Sequence, residues 1–469
     1  MTPNRRAVLC ASLGVTAGLT PTIGGASAAI ARQLIHDPDV LNAAAIDFGR
    51  IVHRLPGAVH RPASSTDIAD LLHWAGQQGL KVAARGQGHS TYGRAQAAGG
   101  IVVDMSTLRA IGDIRPDRIV VDAGATWKDV FEAALVHGLT PPVLTNYLGL
   151  SIGGTIAVGG IGGSSSRYGM QTDQVLELDV VTGEGRELRC SPTENADLFD
   201  AVRAGLGKCA IVTRATLRLM RAPDRVRRFQ LFYPDLSSLT AELRAVLAES
   251  RFDQLQGAIL PDGAGGWRYH LEGAVFHDRD AAPDDGKVLA GLSDNRAAAV
   301  VTDLAYRDDA LAFDRLENVL RQNGQWFNAK PWFLSFLRGS NAEQVVRPIL
   351  DGLTGDDIGP FVRLTYYPVH TAAFDTPLVR LPAERIAFPF NLIRIPASDD
   401  MVRLKQAEAK NRALYDRIRD AGGMLYPVSA FPMSPDDWKD HFGPRWALLR
   451  SAKQRHDPNN MLTPGYDVI

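Results

Sequence analysis

The chain has 469 residues, which is enough for a large hydrophobic core and for two domains. Hydrophobic residues make up 45% of it and charged residues 22%, a balance that is typical of a globular protein and excludes a disordered one. The formal net charge is −1 without a basic stripe, so we expect no nucleic-acid partner. The sequence has no cluster of cysteine and histidine with metal-ligand spacing, so we expect no metal site.

The first 28 residues have the pattern of an export signal. Arg5 and Arg6 precede a short apolar stretch, which ends in the A-x-A cleavage pattern Ala26-Ser27-Ala28. The paired arginines resemble a twin-arginine signal, which exports proteins that are already folded. The alternative is an anchor helix, but two glycines and a proline interrupt the stretch, which is short for a membrane span. We therefore expect a secreted or periplasmic protein that has no stable membrane span.

Short helices and strands alternate from residue 65 to residue 219. Apolar spacing predicts helices at 65–80, 127–137 and 196–203, and strands at 80–84, 101–104, 119–121, 174–181 and 211–219. The β-α-β alternation of this half is an α/β pattern. Cys190 and Cys209 fall in this half, and their spacing leaves open whether they form a disulfide.

Two glycine-rich segments interrupt these elements. Gly86-Gln87-Gly88-His89-Ser90 follows a predicted strand, and a second run extends from Gly149 to Gly163. Glycines let backbone N–H groups approach a phosphate closely, and His89 adds a nucleophilic imidazole at the same place. Each segment alone could equally serve a turn or tight packing. Together they predict a large nucleotide that is held at two places.

The character of the chain changes near Pro223. Strands are predicted at 225–233, 269–276, 362–367 and 386–395, and helices at 237–250 and 311–322, without further glycine loops. These elements indicate a substrate or cap domain. The C-terminal part is helical at 445–455 and ends in a segment that contains Asp457-Pro458 and Leu462-Thr463-Pro464-Gly465.

With these segments in order, the chain resembles the flavin-dependent cytokinin dehydrogenases, which belong to the vanillyl-alcohol oxidase type of flavoprotein. The resemblance is carried by RGQGHS at 85–90, GGIVVDM at 99–105, TNYL at 145–148, SIGGT at 151–155, VLELDVVTG at 175–183, NADLFDAV at 195–202, KPW at 330–332 and LTPG at 462–465. It implies an α+β fold, with a two-part FAD-binding domain and a cap domain of antiparallel sheet and helices. The implied boundaries are a signal peptide at 1–28, the FAD-binding domain at 29–222, the cap at 223–425 and a C-terminal segment at 426–469 that completes the FAD site.

The resemblance also implies how FAD is bound. His89 matches the histidine that these enzymes bond covalently to the flavin. No cysteine lies between His89 and Cys190, so we expect a single covalent link. The other implied cofactor contacts are Gly86, Gln87, Gly88, Ser90, Ser151, Gly153, Gly154, Thr155, Gly160, Ile161, Val212, Thr463 and Tyr466. For Ile161 and Val212, simple core packing is the alternative.

The substrate site departs from the family. Asn146 stands where the family has an aspartate base, and an amide cannot accept a proton at neutral pH. Glu317 and Trp332 match substrate-pocket residues, although Glu317 could instead be a solvent-facing helix residue paired with Arg321. Leu334 replaces an asparagine that contacts the purine ring in the family. A site that loses hydrogen-bond partners discriminates against its original ligand, so cytokinin is a doubtful substrate.

The resemblance therefore predicts an exported FAD-dependent oxidoreductase. It would transfer a hydride from a C–H beside an amine or a hydroxyl of a small molecule to the flavin, and electrons would pass on to oxygen or a quinone-like carrier. An alcohol or sugar substrate is the alternative within this class. Two further alternatives are a flavin-binding protein that has lost turnover and an internal enzyme whose paired arginines are not a signal.

Overall fold

The structure, a computed structural model, describes residues 30–396 and 400–469. The predicted signal peptide therefore lies outside the described residues. Among the described residues no helix has the length and apolar character needed to cross a bilayer. Cys190 and Cys209 are both buried and form no disulfide with each other.

The N-terminal half begins with a small parallel sheet in which Ile101–Asp104 lies between Ala58–His60 and Val82–Arg85. Ser64 caps the N-terminus of the helix Ser65–Gln77, and its side chain accepts a hydrogen bond from the Asp67 backbone N–H. This helix buries its apolar stripe, as the periodicity predicted. The first glycine segment leaves the end of Val82–Arg85, a normal position for a phosphate-binding loop.

The second sheet of this half is antiparallel, so the α/β pattern read from the sequence holds only for the small sheet. Its strands lie in the order Ile111–Arg115, Arg118–Asp122, Ala210–Arg218, Val175–Thr182 and Glu187–Cys190. Only two residues join the first pair, in which Arg115 lies opposite Arg118. A connection this short allows an antiparallel pair but no parallel one. The helices Trp127–Leu135 and Ala196–Val202 accompany this sheet.

The second half of the chain forms a broad antiparallel sheet, here called the cap sheet. Its strands lie in the order Val300–Ala305, Arg225–Tyr233, Trp267–His277, Gln254–Pro261, Phe361–Tyr366, Ile386–Ile395, Phe333–Arg338 and Met424–Leu425, with Val369–His370 paired beside Ile386–Ile395. Sequence periodicity did not predict Gln254–Pro261, Val300–Ala305 or Phe333–Arg338. This architecture confirms the α+β fold with a cap of antiparallel sheet and helices.

Helices cover one face of the cap sheet and leave the other face toward the N-terminal half. Leu236–Ala248 packs on the sheet through Thr240, whose hydroxyl lies 3.1 Å from that of Tyr366. Met401–Asp420 packs beside Phe333–Arg338, where the rings of Tyr415 and Phe333 both contact Phe431. The other α-helices in the described residues are Pro38–Ala44, Ile152–Ile156, Ser165–Tyr168, Asp285–Val288, Tyr306–Ala310, Ala312–Gln322, Ala342–Gly352, Gly355–Ile358, Pro435–Phe442 and Trp446–His456.

The C-terminal segment returns to the N-terminal sheet. The Val82 N–H donates to the Met461 carbonyl at 3.0 Å, and the Thr463 N–H donates to the Val82 carbonyl at 2.8 Å. The buried Lys208 ammonium donates to the carbonyls of Leu462, Thr463 and Tyr466. These bonds fix the last ten residues against the strand that precedes the first glycine segment, so that both reach one site.

Candidate active site

A cavity of about 660 Å³ lies between the N-terminal half, the uncovered face of the cap sheet and the C-terminal segment. The predicted cofactor contacts all lie on its wall: Gly86, Gln87, Gly88, His89, Ser90, Ser151, Gly153, Gly154, Thr155, Gly160, Ile161, Val212, Thr463 and Tyr466. Residues that are far apart in the sequence therefore meet around one space. That they contact FAD stays a prediction.

The two glycine segments touch each other at the cavity wall. A methyl group at Gly86 would lie 1.9 Å from the Ser151 hydroxyl oxygen, so only glycine allows this approach. Gly88 has a φ of +63° and packs over the Arg85 guanidinium. Within the described residues, the backbone N–H groups of residues 87–90 donate no hydrogen bond to protein acceptors. Free donors on a glycine-rich loop fit a phosphate or another anionic group of a nucleotide.

His89 is held in an aromatic environment. Its ring stacks on that of Phe48, with the centroids 3.8 Å apart and the planes inclined by 16°. The rings of Tyr147 and Trp332 lie 5.0 and 6.2 Å away. Burial, together with the charge of Lys330, lowers the pKa of His89 to about 3. The imidazole is therefore neutral at physiological pH and keeps a nucleophilic nitrogen lone pair.

Two of the three predicted substrate residues lie on the cavity wall, and the third does not. Asn146 and Trp332 line the cavity, and the Trp332 indole donates to the Arg394 carbonyl at 3.0 Å, which fixes its ring. Glu317 does not line the cavity. Its carboxylate pairs with Arg321 at 2.7 Å and accepts from the Tyr147 hydroxyl at 3.4 Å. The structure thus places Glu317 behind Tyr147, in the i,i+4 pair that was the alternative interpretation.

The cap sheet contributes a polar wall that sequence reasoning missed. Glu272 and Arg363 form an ion pair at 2.5 Å, and Asn391 donates to Thr365 at 2.7 Å. Burial would raise the pKa of the Glu272 carboxyl, but Arg363, with smaller contributions from His270 and Arg228, outweighs burial and holds that pKa below its usual value. The wall also includes Arg228, Gln254, Gln256, Tyr367 and Asp309.

A sequence signal for this wall exists. Two of the strands each carry a pair of polar residues two positions apart, Gln254 with Gln256 and Arg363 with Thr365, and this spacing places each pair on one face of the sheet. The Arg228 guanidinium donates hydrogen bonds to the Asp309 carboxylate at 2.8 Å and to the Gln254 side-chain oxygen at 2.9 Å. An alternating polar face is usually solvent-exposed, so the pattern alone did not indicate a cavity. Within the described residues, no group of three or more His, Cys, Asp or Glu side chains is arranged to hold a metal ion.

Comparisons with known proteins agree with this site. Residues 56–191 match a family model described as an FAD binding domain, and residues 238–469 match one described as "Cytokinin dehydrogenase 1, FAD and cytokinin binding". The chain is 39% identical to "Uncharacterized oxidoreductase ORF5 in fasciation locus" of Rhodococcoides fascians, over 92% of this chain and 98% of that one. It is 34% identical to cytokinin dehydrogenase 10 of Oryza sativa subsp. japonica, over 97% and 92% of the two chains.

Among solved structures, the fold is similar to that of 6-hydroxy-D-nicotine oxidase from Arthrobacter nicotinovorans, with a TM-score of 0.71 and 20% identity over 92% of this chain and 96% of that one. This likeness shows the fold. The match to both family models and the identity to the rice enzyme along almost the whole chain show the family. The chain belongs to the cytokinin dehydrogenase family of FAD-binding oxidoreductases, which act on CH–NH or CH–OH groups.

Proposed function

We propose that this protein is an exported oxidoreductase that carries FAD covalently on His89 and oxidises a C–H beside an amine or a hydroxyl. The observation that carries the proposal is the neutral His89 imidazole, stacked on Phe48 at the wall of a cavity that the predicted cofactor contacts surround. The bound flavin supplies the hydride acceptor. The protein supplies orientation and the exclusion of water.

The aromatic end of the cavity suits a flat or apolar substrate group. Trp332 and Tyr147 both lie close to His89, and the ring centroids of Trp326 and Tyr147 are 5.6 Å apart. Aromatic faces at these separations stack on planar groups. This end supports an N-substituted amine as the substrate, the class to which the names of the rice relatives point.

This chain differs from the expectation for its family in the group that could accept the substrate proton. Asn146 can hold a substrate by hydrogen bonds but cannot take its proton. Glu272 is an ionised carboxylate on the cavity wall, yet its ion pair with Arg363 makes it a weak base. We infer that the natural substrate arrives neutral and that cytokinins are turned over slowly.

The polar wall favours an alcohol or a sugar as the second candidate substrate. Arg228, Glu272 and Asn391 present donors and acceptors to the cavity, and such groups recognise hydroxyls better than aliphatic chains. The test is the anaerobic loss of flavin absorbance with matched amines, alcohols and sugars. Reduction by a member of the panel identifies the class. A flavin that no member reduces would contradict turnover and favour a binding protein.

Oxygen or a quinone-like carrier is the proposed electron acceptor. Reoxidation of the reduced protein by air or by a soluble quinone, followed through the return of flavin absorbance, separates the two.

A further inference from the structure

The segment Asp47-Phe48-Gly49 lies directly against the His89 loop. The Phe48 N–H donates to the Gly88 carbonyl at 2.8 Å, and the Gly49 N–H donates to the Ser90 carbonyl at 3.0 Å. These two bonds flank His89 on both sides. Gly49 must lack a side chain, because a methyl group there would lie 1.9 Å from the Thr91 carbonyl oxygen. The backbone of this segment thus holds residues 88–90 in place by hydrogen bonds.

The Asp47 side chain strengthens the same contact. Its buried carboxylate accepts hydrogen bonds from the Ser90 hydroxyl at 2.8 Å and from the Gly93 N–H at 2.5 Å. The part of the loop that follows His89 is thereby fixed by the Asp47 side chain as well. Burial raises the pKa of Asp47, and the hydrogen bonds from Ser90 and Gly93 oppose that rise.

Phe48 itself is held between two groups. One face of its ring stacks on the His89 imidazole at 3.8 Å, and the Lys330 ammonium lies 4.5 Å from the ring centroid. The backbone N–H of Lys330 also donates to the Gly49 carbonyl at 2.9 Å, which ties the cap side of the cavity to the segment. Phe48 therefore contacts both the imidazole and the ammonium group.

We propose that Phe48 is a positioning residue for the covalent attachment of FAD, because it aims the His89 imidazole at the flavin. The proposal rests on the covalent link proposed above. A nucleophile reacts fastest when the bound geometry is already close to that of attack, and a stacked ring restricts rotation of the imidazole. Phe48 would act through His89 rather than on the substrate.

The proposed attachment is an oxidation of the flavin by dioxygen. A C–N bond forms between a His89 imidazole nitrogen and the ring-methyl carbon of the flavin. One hydrogen leaves that carbon and one leaves the imidazole, both as protons. The electron pair passes through the ring system to dioxygen, which is the external oxidant and is reduced to hydrogen peroxide with two protons. The neutral imidazole is the form that can attack, and burial near Lys330 maintains it.

The experiment compares Phe48→Leu with Phe48→Tyr and with a matched control, Phe313→Leu. Phe313 belongs to the same cluster of aromatic side chains, since its ring centroid lies 5.3 Å from that of Tyr147. Within the described residues, no ring contact joins Phe313 to His89. Each purified protein is incubated with FAD in air, and acid-stable flavin is followed over time by intact mass and by absorbance of the precipitated chain. Thermal unfolding and loosely bound FAD are measured in parallel.

Phe48→Leu should form acid-stable flavin roughly tenfold more slowly than the native chain, while Phe48→Tyr and Phe313→Leu stay within about twofold. Equal slowing in both leucine variants would overturn the proposal, since it would indicate general packing. A native rate in Phe48→Leu would overturn it too. Should Phe48→Leu not fold, Phe48→Met provides the same comparison. Absence of acid-stable flavin in the native chain would instead contradict the proposed link to His89.

Discussion

The Glu272 carboxylate and the Arg363 guanidinium meet at 2.5 Å on the face of the cap sheet that lines the cavity. They lie on different strands, with Gln254–Pro261 between them. Each charge is stable at this position because the other compensates it. Removing one partner leaves the other charge partly desolvated and unpaired.

Glu272→Gln should therefore destabilise the protein by about 1–3 kcal/mol at neutral pH. Denaturant unfolding measures this free energy. The matched control is Glu343→Gln, which removes a surface i,i+4 pair with Arg347 and should cost less than about 0.5 kcal/mol. Equal costs for the two substitutions would contradict the importance of the partly buried pair of Glu272 and Arg363.

The contribution of Glu272 should also depend on pH. Its pKa is lower in the folded protein than in the unfolded chain, so its stabilisation is fully present above the ordinary carboxyl pKa of about 4.3. It is lost as the pH falls through the lowered value. The difference in unfolding free energy between native protein and Glu272→Gln should accordingly shrink below about pH 4. A difference that grows in acid would show that the sign is wrong.

The covalent link has a direct test. Acid-precipitated native protein should stay yellow, and one peptide containing His89 should carry the flavin mass. His89→Ala should fold and bind FAD reversibly, because the glycine segments that face the cavity are unchanged. A colourless precipitate from flavin-saturated native protein would contradict the link.

Asn146→Asp restores a carboxylate on the cavity wall. General-base assistance is worth about a hundred- to ten-thousand-fold in rate, so the variant should raise turnover of an N-substituted adenine wherever the pocket still admits one. The native protein should oxidise cytokinins slowly. Steady-state rates of both proteins over a pH range provide the measurement. Fast cytokinin oxidation by the native protein would show that the amide is no handicap, and loss of all flavin reduction in the variant would show that the amide is itself the working group.

Export is predicted from the sequence alone. Replacement of both Arg5 and Arg6 by lysine should retain the protein inside the cell, and the secreted native protein should begin at Ala29. Cell fractionation and N-terminal sequencing measure the two outcomes. Unchanged secretion of the double variant would exclude the twin-arginine route, and an N-terminus far from Ala29 would exclude the cleavage site.

The amino-acid sequence by itself determined the two glycine segments at the cavity wall. Glycine spacing and the His89 position are local properties, since a short segment either allows close approach of the backbone or does not. The helices and strands with strong periodicity, such as Ser65–Gln77 and Ile386–Ile395, were predicted for the same reason. Motif order along the chain then predicted the family, which the comparisons show.

The tertiary structure alone decided which distant residues share the site. Phe48 stacks on His89 from 41 positions earlier in the chain, and Glu272 pairs with Arg363 from 91 positions away. Nothing local in the sequence marks such contacts, because they depend on strand order and on which sheet face is covered by helices. The same is true of Glu317. The family resemblance implied a substrate contact for it and helical spacing implied a pair with Arg321, and only packing placed it behind Tyr147.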